Sequence, residues 1–364
     1  MPVVFYSMTK SREEQISLDD TSFYHCYVRC VRQAYLCGED HSTGENYDHR
    51  KQWLVSRLRF LSYIYAIDIC AYAILSNHYH VVLHVDKQRA QSWSDLEVVE
   101  RWMQLYKGNV LVDRWLADPN TIDKASLLKV RKYIEGWRER LASISWFMRG
   151  VNETIARMAN VEEGRSGRFW EGRFKSQALL DEAAVLSCMA YVDLNPVRAG
   201  MEKDLYDSNF TSIQQHLYDY TAPKKSNSKA EQGLVERVNQ QQALKQAQGL
   251  GELPEASLMP FDGGSHTNIQ SALPFTREDY FELVDVTGRL IREGKRGAIH
   301  SDIPSIVERL GIEPDYWVAH IQNFGKTYSA CAGSVSAISD YASKSGKKWC
   351  KGITHSMCCY RQVG

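Results

Sequence analysis

The feature that most constrains this chain is an apolar run, residues 74–85, in which a single residue separates two histidines. The run reads Ile-Leu-Ser-Asn-His-Tyr-His-Val-Val-Leu-His-Val. This composition predicts a strand, in which successive side chains point to opposite faces of a sheet. His78 and His80 then share a face, roughly 7 Å apart at ~3.3 Å per residue, and Tyr79 points away. Two imidazoles on one face can converge on a metal ion, although such pairs in strands are more often structural or merely exposed.

A second segment, residues 181–200, predicts a short helix that ends beside a proline. Asp181 is a good N-cap, and alanine and leucine fill the body of the helix. Pro196 disfavours helical geometry in the preceding residue, so the helix should end just before it. Tyr191 and Asn195 are four residues apart, hence on one face if the last turn holds. The alternative is that Tyr191 packs in the core and Asn195 merely ends the helix.

Taken together, the two segments resemble the single-tyrosine HUH endonucleases, and among these the REP-associated tyrosine transposases. The resemblance covers roughly residues 20–215. The matching stretches are Ser76-Asn77-His78-Tyr79-His80, Gly167-Arg168-Phe169-Trp170-Glu171-Gly172-Arg173-Phe174-Lys175 and Tyr191-Val192-Asp193-Leu194-Asn195-Pro196-Val197-Arg198-Ala199-Gly200. The resemblance implies an α+β fold, with a ferredoxin-like antiparallel sheet and helices as the HUH endonuclease core.

The same resemblance implies metal-dependent cleavage and rejoining of single-stranded hairpin or palindromic DNA through a covalent 5′-phosphotyrosine intermediate. Tyr191 would be the nucleophile, and its phenol, pKa about 10, needs deprotonation or alignment to react. His78, His80 and Asn195 would be the metal ligands. Mixed nitrogen and oxygen ligation with open positions fits Mg²⁺ or Mn²⁺ better than a closed zinc site. No nucleotide cofactor is expected. We interpret His84, on the same strand face, as a packed histidine or as a group behind the ligands.

Basic residues alternate with aromatic rings in residues 165–175. Positive charge follows a nucleic-acid backbone and aromatic faces stack on unpaired bases, so this pattern favours binding of a single strand or a hairpin. Core aromatics beside surface arginines are the alternative. The resemblance adds a basic opening segment and the arginine of the Asn-Pro-Val-Arg motif. The predicted DNA-binding residues are Arg29, Arg32, Arg165, Arg168, Trp170, Arg173, Lys175 and Arg198.

Composition limits the other functions. With 44 Lys and Arg against 44 Asp and Glu, the formal net charge is zero, so DNA contacts must come from local patches. Apolar runs are too short to span a membrane, and the first 20 residues lack the order of a secretory signal, which predicts a cytoplasmic protein. Nine cysteines without a Cys-x-x-Cys pair argue against a zinc ribbon or a disulfide framework. Idle thiols are the default interpretation, with a mixed site near Cys350, His355, Cys358 and Cys359 as an alternative.

We predict three segments: the HUH transposase domain over 1–220, a polar linker over 221–258, and a mostly helical C-terminal domain over 259–364. Four lysines and Arg361 are interleaved with Trp349 and Tyr360 in the tail, a mixture that suits DNA contact but also a solvated tail that contacts nothing. Strands are predicted over 25–31, 67–75, 78–85 and 173–180, and helices over 48–65, 96–105, 127–149, 181–194, 230–248, 277–293, 303–310, 316–324 and 330–343.

Two other functions stay open. One is a catalytically silent, sequence-specific DNA-binding protein on the same fold, against which the intact set of His78, His80, Tyr191 and Asn195 argues. The other is a replication initiator or relaxase-like nickase, which the Asn-Pro-Val-Arg-Ala-Gly context and the lack of a helicase nucleotide loop disfavour. A monomer and a homodimer are both compatible with the sequence, which does not decide whether Tyr191 serves the histidines of its own chain. The expected partner is single-stranded or hairpin DNA of the repetitive extragenic palindrome type.

Overall fold

The computed structural model describes most of the chain, with short gaps. The described residues are 15–31, 36–39, 44–202, 205–221, 228–262, 272–293 and 304–361. Arg32, predicted to bind DNA, lies outside them, as do residues 222–227 of the predicted linker.

A five-stranded sheet lies at the centre of the fold. Its strands are β1 (Phe23–Arg29), β2 (Ile67–Ile74), β3 (His78–Val85), β4 (Lys175–Leu179) and β5 (Cys331–Ala332). Their spatial order is β2-β3-β1-β4-β5. Neighbours among the first four strands are antiparallel, and β5 runs parallel to β4. The four predicted strands are confirmed, with ends shifted by at most two residues.

Helices surround this sheet, which makes the described chain an α+β structure. They are α1 (Arg50–Ile64), α2 (Lys87–Ser92), α3 (Asp95–Met103), α4 (Val110–Ala117), α5 (Lys124–Leu141), α6 (Ile144–Glu162), α7 (Glu182–Asp193), α8 (Asn195–Arg198), α9 (Ser212–Thr221), α10 (Lys229–Ala247), α11 (Arg277–Arg292), α12 (Ile306–Arg309), α13 (Pro314–Thr327), α14 (Val335–Lys344) and α15 (Ile353–Cys359). A 3₁₀ turn spans Pro119–Thr121. Across the described ranges, none of these helices has the length and apolarity to cross a membrane.

Two helix predictions are wrong in part. The segment 127–149 does not form one helix, because the chain leaves helical geometry at Ala142 and Ser143 and the Leu141 carbonyl instead accepts the Ala66 N–H. The segment 330–343 begins as strand β5. Its carbonyls at Ala330 and Ala332 accept N–H groups from the open edge of β4, which a helix start would leave unpaired.

The sheet has two faces of different chemistry. Tyr79 points to the face covered by α6, where its hydroxyl donates to Asn152. Tyr27 of β1 pairs opposite His80 of β3, so both side chains point to the other face. Helix α7 packs on that second face, against β2, β3 and β4. The predicted separation of the two histidines from Tyr79 is confirmed.

The C-terminal helices pack against the helix that carries Tyr191. Helix α13 lies against α7, and α11 lies against α8. Helix α10, within the predicted linker, begins with a capping box at Ser228 and Glu231 and packs on α1 and α9. Buried residues of these helices belong to the same hydrophobic core as the sheet. The domain boundaries at residues 220 and 258 remain predictions.

Candidate functional site

An open cavity of about 440 Å³ lies on the α7 side of the sheet. His78, His80 and Tyr191 all line it, so one chain brings both predicted metal ligands and the predicted nucleophile together. The other lining residues are Tyr27, Val28, Arg29, Glu171, Gly172, Arg173 and Lys175.

Aromatic contacts define the centre of this cavity. The ring centroids of His78 and His80 are 5.0 Å apart. The ring of Tyr191 meets His80 edge-on, with centroids 5.7 Å apart. A third imidazole, that of His25 on β1, lies 5.1 Å from His80 and 6.0 Å from Tyr191. The sheet register and the packing of α7 therefore create a cluster of three histidines and one tyrosine.

A chain of hydrogen bonds orients His80. Gln177 Nε2 donates to the Ser329 carbonyl (3.4 Å), so its Oε1 faces His25 and accepts from His25 Nδ1 (3.3 Å). Neutral His25 then carries its lone pair on Nε2, which accepts from His80 Nδ1 at 2.8 Å. The Nε2 lone pair of His80 is left for an external ligand. Metal-ligating histidines usually have this arrangement, with the second ring nitrogen held by a neighbour.

The second predicted ligand follows the same pattern. The Nδ1 of His78 contacts Asn77 Oδ1, an oxygen that can only accept, so His78 also keeps its lone pair on Nε2. Burial lowers the pKa of His25 and of His78 to about 4. Burial also lowers the pKa of His80 well below its ordinary value, and the nearby His25 and His78 lower it further. All three rings are therefore neutral at pH 7, the state in which an imidazole can bind a cation.

Tyr191 is enclosed by the C-terminal part of the chain. The residue is only 8% exposed, and its ring lies 5.4 Å from that of Phe324 on α13. The next residue, Gly325, approaches the phenol so closely that a Cβ atom there would collide with the hydroxyl. Helix α13 thus covers one side of the predicted nucleophile, and glycine is the residue that permits this approach.

Arg198 also contacts Tyr191. Its guanidinium carbon lies 4.4 Å from the centre of the Tyr191 ring, and its Nη2 donates to the Gln322 carbonyl of α13 at 2.9 Å. Burial raises the pKa of Tyr191, whereas the charge of Arg198 and its hydrogen bond to the phenol act in the opposite direction. Arg198, predicted to bind DNA, therefore lies where a cation stabilises a phenolate.

Asn195 is placed differently from its prediction. Helix α7 ends at Asp193, and Asn195 begins the short helix α8, which packs against α11. Asn195 is buried and is not among the residues that line the cavity. The end of α7 is fixed by Asp193, whose buried carboxylate accepts from the backbone N–H of Ile213 and from the hydroxyls of Ser212 and Tyr280.

The predicted DNA-binding side chains separate into surface and core groups. Those at the surface are Arg29, Arg165, Arg168, Arg173 and Lys175. Trp170 is buried, and its indole N–H donates to the Asn152 carbonyl at 2.8 Å. Its ring packs edge-on against Tyr79. The prediction that Trp170 stacks on a base is therefore not supported by its position, because the ring belongs to the core.

A larger cavity of about 780 Å³ adjoins the first and shares Tyr27, Arg173 and Lys175 with it. The C-terminal tail contributes Trp349 and lysines to its wall. Its tail residues are Tyr341, Lys347, Trp349, Cys350 and Lys351. The indole of Trp349 is 67% exposed, whereas Tyr360, the other tail aromatic, is 6% exposed and belongs to the core. The two cavities give the described surface a continuous basic path with one exposed aromatic ring.

Several residues of the site were missed by sequence reasoning. His25 is the clearest case, because His25, Tyr27 and Arg29 alternate along β1 on the same face as His80. That polar alternation is visible in the sequence, but its meaning depends on which strand lies beside β3. His84, by contrast, packs against Phe23 and contacts Asp68 Oδ2 at 3.2 Å. It is a packed histidine outside the cavity.

Comparisons with known proteins give little further guidance. No protein-family model matches the chain, and no curated protein matches it. Among solved structures, a REP-associated tyrosine transposase bound to a REP hairpin matches at 13% identity. That match covers 61% of this chain and 93% of the other, with a TM-score of 0.32. A likeness at this level does not establish a shared fold or function, so the functional proposal below is based on the residues of this chain.

Proposed function

We propose that this protein cuts and rejoins single-stranded DNA through a covalent bond between Tyr191 and a 5′-phosphate. The convergence of His78, His80 and Tyr191 on one open cavity is the observation that carries the proposal. Two neutral imidazoles with free lone pairs, a phenol and a basic wall are the groups that phosphoryl transfer to a tyrosine needs.

The donor set fits a divalent metal ion, Mg²⁺ or Mn²⁺. His78 and His80 would hold the ion through Nε2, leaving several coordination positions for phosphate and water. Glu171 adds a carboxylate to the cavity wall, whereas Asn195 would reach the ion only if the turn after α7 changes. When bound, such an ion acts as a Lewis acid on the scissile phosphate and fixes its orientation.

The remaining chemistry belongs to the protein side chains. The Tyr191 oxygen attacks phosphorus and releases its proton to solvent in the open cavity, and the bond from phosphorus to the 3′ oxygen breaks. That oxygen takes a proton from solvent and leaves as a 3′-hydroxyl, so the step involves no net gain or loss of protons. Attack by a 3′-hydroxyl reverses the reaction and rejoins the strand. Arg198, beside the phenol, would stabilise its negative charge, which burial alone disfavours.

We further propose that the single strand leaves the catalytic cavity through the larger one. Arg173 and Lys175 lie on the walls of both cavities, and Trp349 offers an exposed ring for stacking on an unpaired base. The strand order β2-β3-β1-β4, with helices between β1 and β2 and between β3 and β4, supports a ferredoxin-like HUH core. A hairpin or palindromic substrate is proposed from the sequence motifs alone.

The test is formation of a covalent protein–DNA adduct. Purified protein is incubated with labelled single-stranded DNA hairpins and with Mg²⁺ or Mn²⁺, and the products are resolved on denaturing gels. We expect an adduct that requires the metal and Tyr191. Tyr27→Phe, which alters a second tyrosine in the same cavity, should still form it. Hairpin binding without any adduct under either metal would instead favour the catalytically silent binding protein.

A further inference from the structure

A second cluster of metal-ligating side chains lies in the C-terminal helices, away from the proposed catalytic cavity. His320 belongs to α13, and His355 and Cys359 belong to α15. Their candidate ligand atoms all lie within 4.8 Å of one another. His320 and Cys359 are fully buried, and His355 is half-buried.

The two short contacts inside this cluster cannot both be good hydrogen bonds. His355 Nε2 lies 3.0 Å from His320 Nδ1 and 3.0 Å from Cys359 Sγ. A neutral imidazole nitrogen carries either one proton or one lone pair, so it forms one good hydrogen bond and not two. The other nitrogen of His320, Nε2, is buried without a hydrogen-bond partner among the described residues. A cation between the three groups removes the double demand on His355 Nε2, because it accepts one lone pair each from His320 Nδ1, His355 Nε2 and Cys359 Sγ.

We propose that His320, His355 and Cys359 bind a Zn²⁺ ion. Two imidazoles and a thiolate form a nitrogen and sulfur donor set that selects zinc over Mg²⁺ or Mn²⁺. Binding converts the Cys359 thiol into a thiolate, and the released proton goes to solvent. Three protein ligands leave the fourth tetrahedral position to water. The proposal is independent of the function proposed above.

The local geometry of α15 supports this ligand set. His355 and Cys359 are four residues apart on the same helix, so both face α13. Gly352 precedes the helix with φ +114°, a conformation that favours glycine and directs the chain into α15. The cysteine next in sequence, Cys358, is exposed and faces its own helix backbone at the Thr354 carbonyl. The mixed site considered from the sequence thus includes His355 and Cys359 but excludes Cys350 and Cys358, and gains His320.

The ion would join α15 to the helix that covers the nucleophile. His320 lies one turn before Phe324 on α13, and their ring centroids are 5.6 Å apart. Phe324 and Gly325 are the residues that contact Tyr191. Zinc at this position therefore has a structural role, holding α13 in place rather than taking part in the reaction.

The experiment measures metal in the purified full-length protein. We expect about one zinc per chain by elemental mass spectrometry after gel filtration. Replacing zinc by Co²⁺ should give the thiolate-to-cobalt charge-transfer absorption. Both signals should be lost in Cys359→Ser and kept in Cys358→Ser, the matched control one residue away. They should also be kept in His80→Ala, which alters the other histidine cluster.

Two results would overturn the proposal. The first is a folded wild-type protein that retains no zinc and shows no charge-transfer absorption with equimolar Co²⁺. This measurement uses the wild-type protein alone, so it tests the proposal even if Cys359→Ser fails to fold. The second is a cobalt spectrum that Cys358→Ser and Cys359→Ser change equally, which would place the thiolate elsewhere.

Discussion

The two histidine clusters of this protein differ in their surroundings. The open cluster, His78 and His80, lines a cavity, and a neighbouring side chain forms a hydrogen bond with Nδ1 of each ring. The enclosed cluster, His320, His355 and Cys359, lies between packed helices. A coordination position that faces the cavity is accessible to a substrate, whereas an ion between α13 and α15 is held away from one and links the two helices. Under the two proposals, the same residue type takes part in a reaction in one region and holds helices together in the other.

Helix α13 connects the two regions. It carries His320 of the enclosed cluster and, one turn later, Phe324 and Gly325 against Tyr191. Because α13 contacts both regions, adduct formation and the cobalt spectrum are measured as separate signals for the two clusters.

The largest effect is expected from Tyr191→Phe. It removes the attacking oxygen and keeps the ring that packs on Phe324, so the adduct should fall by more than about 1000-fold while stability changes little. Denaturing gels with labelled hairpin measure the adduct, and the cobalt spectrum should match that of wild type. Adduct formation at wild-type yield would exclude Tyr191 as the nucleophile.

The next effect concerns the open cluster. His80→Ala removes one of two protein ligands at the proposed catalytic metal, so we expect the adduct yield to fall about 100-fold or more. Excess Mn²⁺ should restore part of it if lost affinity is the cause. His84→Ala is the matched control, because His84 lies on the same strand but outside the cavity. Equal losses in both variants would indicate damage to the sheet.

Removing the metal ion from the enclosed cluster should lower the stability of the folded protein. A ligand present at 1000 times its Kd stabilises the folded state by about 4 kcal/mol. A strong chelator should therefore lower the thermal unfolding midpoint of the wild type and of Cys358→Ser, but not that of Cys359→Ser. Calorimetry without DNA measures this. A midpoint that ignores the chelator in all three proteins would contradict a structural zinc ion.

A smaller effect is expected at the contact between α13 and Tyr191. Gly325→Ala places a methyl group against the Tyr191 hydroxyl, so either the ring or α13 must shift. Misplacing a reacting group by about 1 Å can cost 100-fold, and we expect about a tenfold slower adduct formation. Gly136→Ala is the control, since a Cβ at this α5 position meets nothing within 4 Å. A rate equal to that of the control would show that α13 moves aside before the reaction.

Local patterns predicted the part of the site that depends on neighbours in sequence. The alternation of side chains along a strand correctly placed His80 and Tyr79 on opposite faces. Pro196 correctly indicated that α7 ends near Leu194, although Asn195, the residue before the proline, is itself helical as the first residue of α8. Both signals act over a few residues. The positions of the strands followed for the same reason, because apolar alternation and turn residues are local features.

Contacts between distant segments were not predictable in this way. Gly325 meets Tyr191, and His320 meets His355, only because helices pack in a particular arrangement. Trp170 was assigned to DNA, yet its ring joined the core once Asn152 supplied an acceptor for the indole N–H. The sequence shows that a ring is amphipathic but not which of its surroundings will be apolar.

His216 is another buried histidine, and it serves as a reference for both clusters because no metal site is proposed at it. His216 packs against Phe261, and its Nε2 has no hydrogen-bond partner among the described residues. Burial lowers its pKa to about 3, and the charge of Arg277 adds to this.

Above pH 6.5 the His216 ring is neutral in both the folded and the unfolded state, and its contribution to stability is full. As the pH falls from about 6.5 towards 3, the unfolded chain takes up the proton first, and stability is lost by at most about 1.4 kcal/mol per pH unit.

His216→Leu should therefore make stability less dependent on pH on the acid side. Urea unfolding between pH 7 and about 5, the upper part of that pH window, measures this. The adduct yield and the cobalt spectrum should stay at wild-type values, because neither cluster contains His216. A loss of cobalt absorption in this variant would mean that replacing a buried histidine outside the clusters also disturbs the C-terminal helices. The two clusters would then be less separate than their contacts suggest.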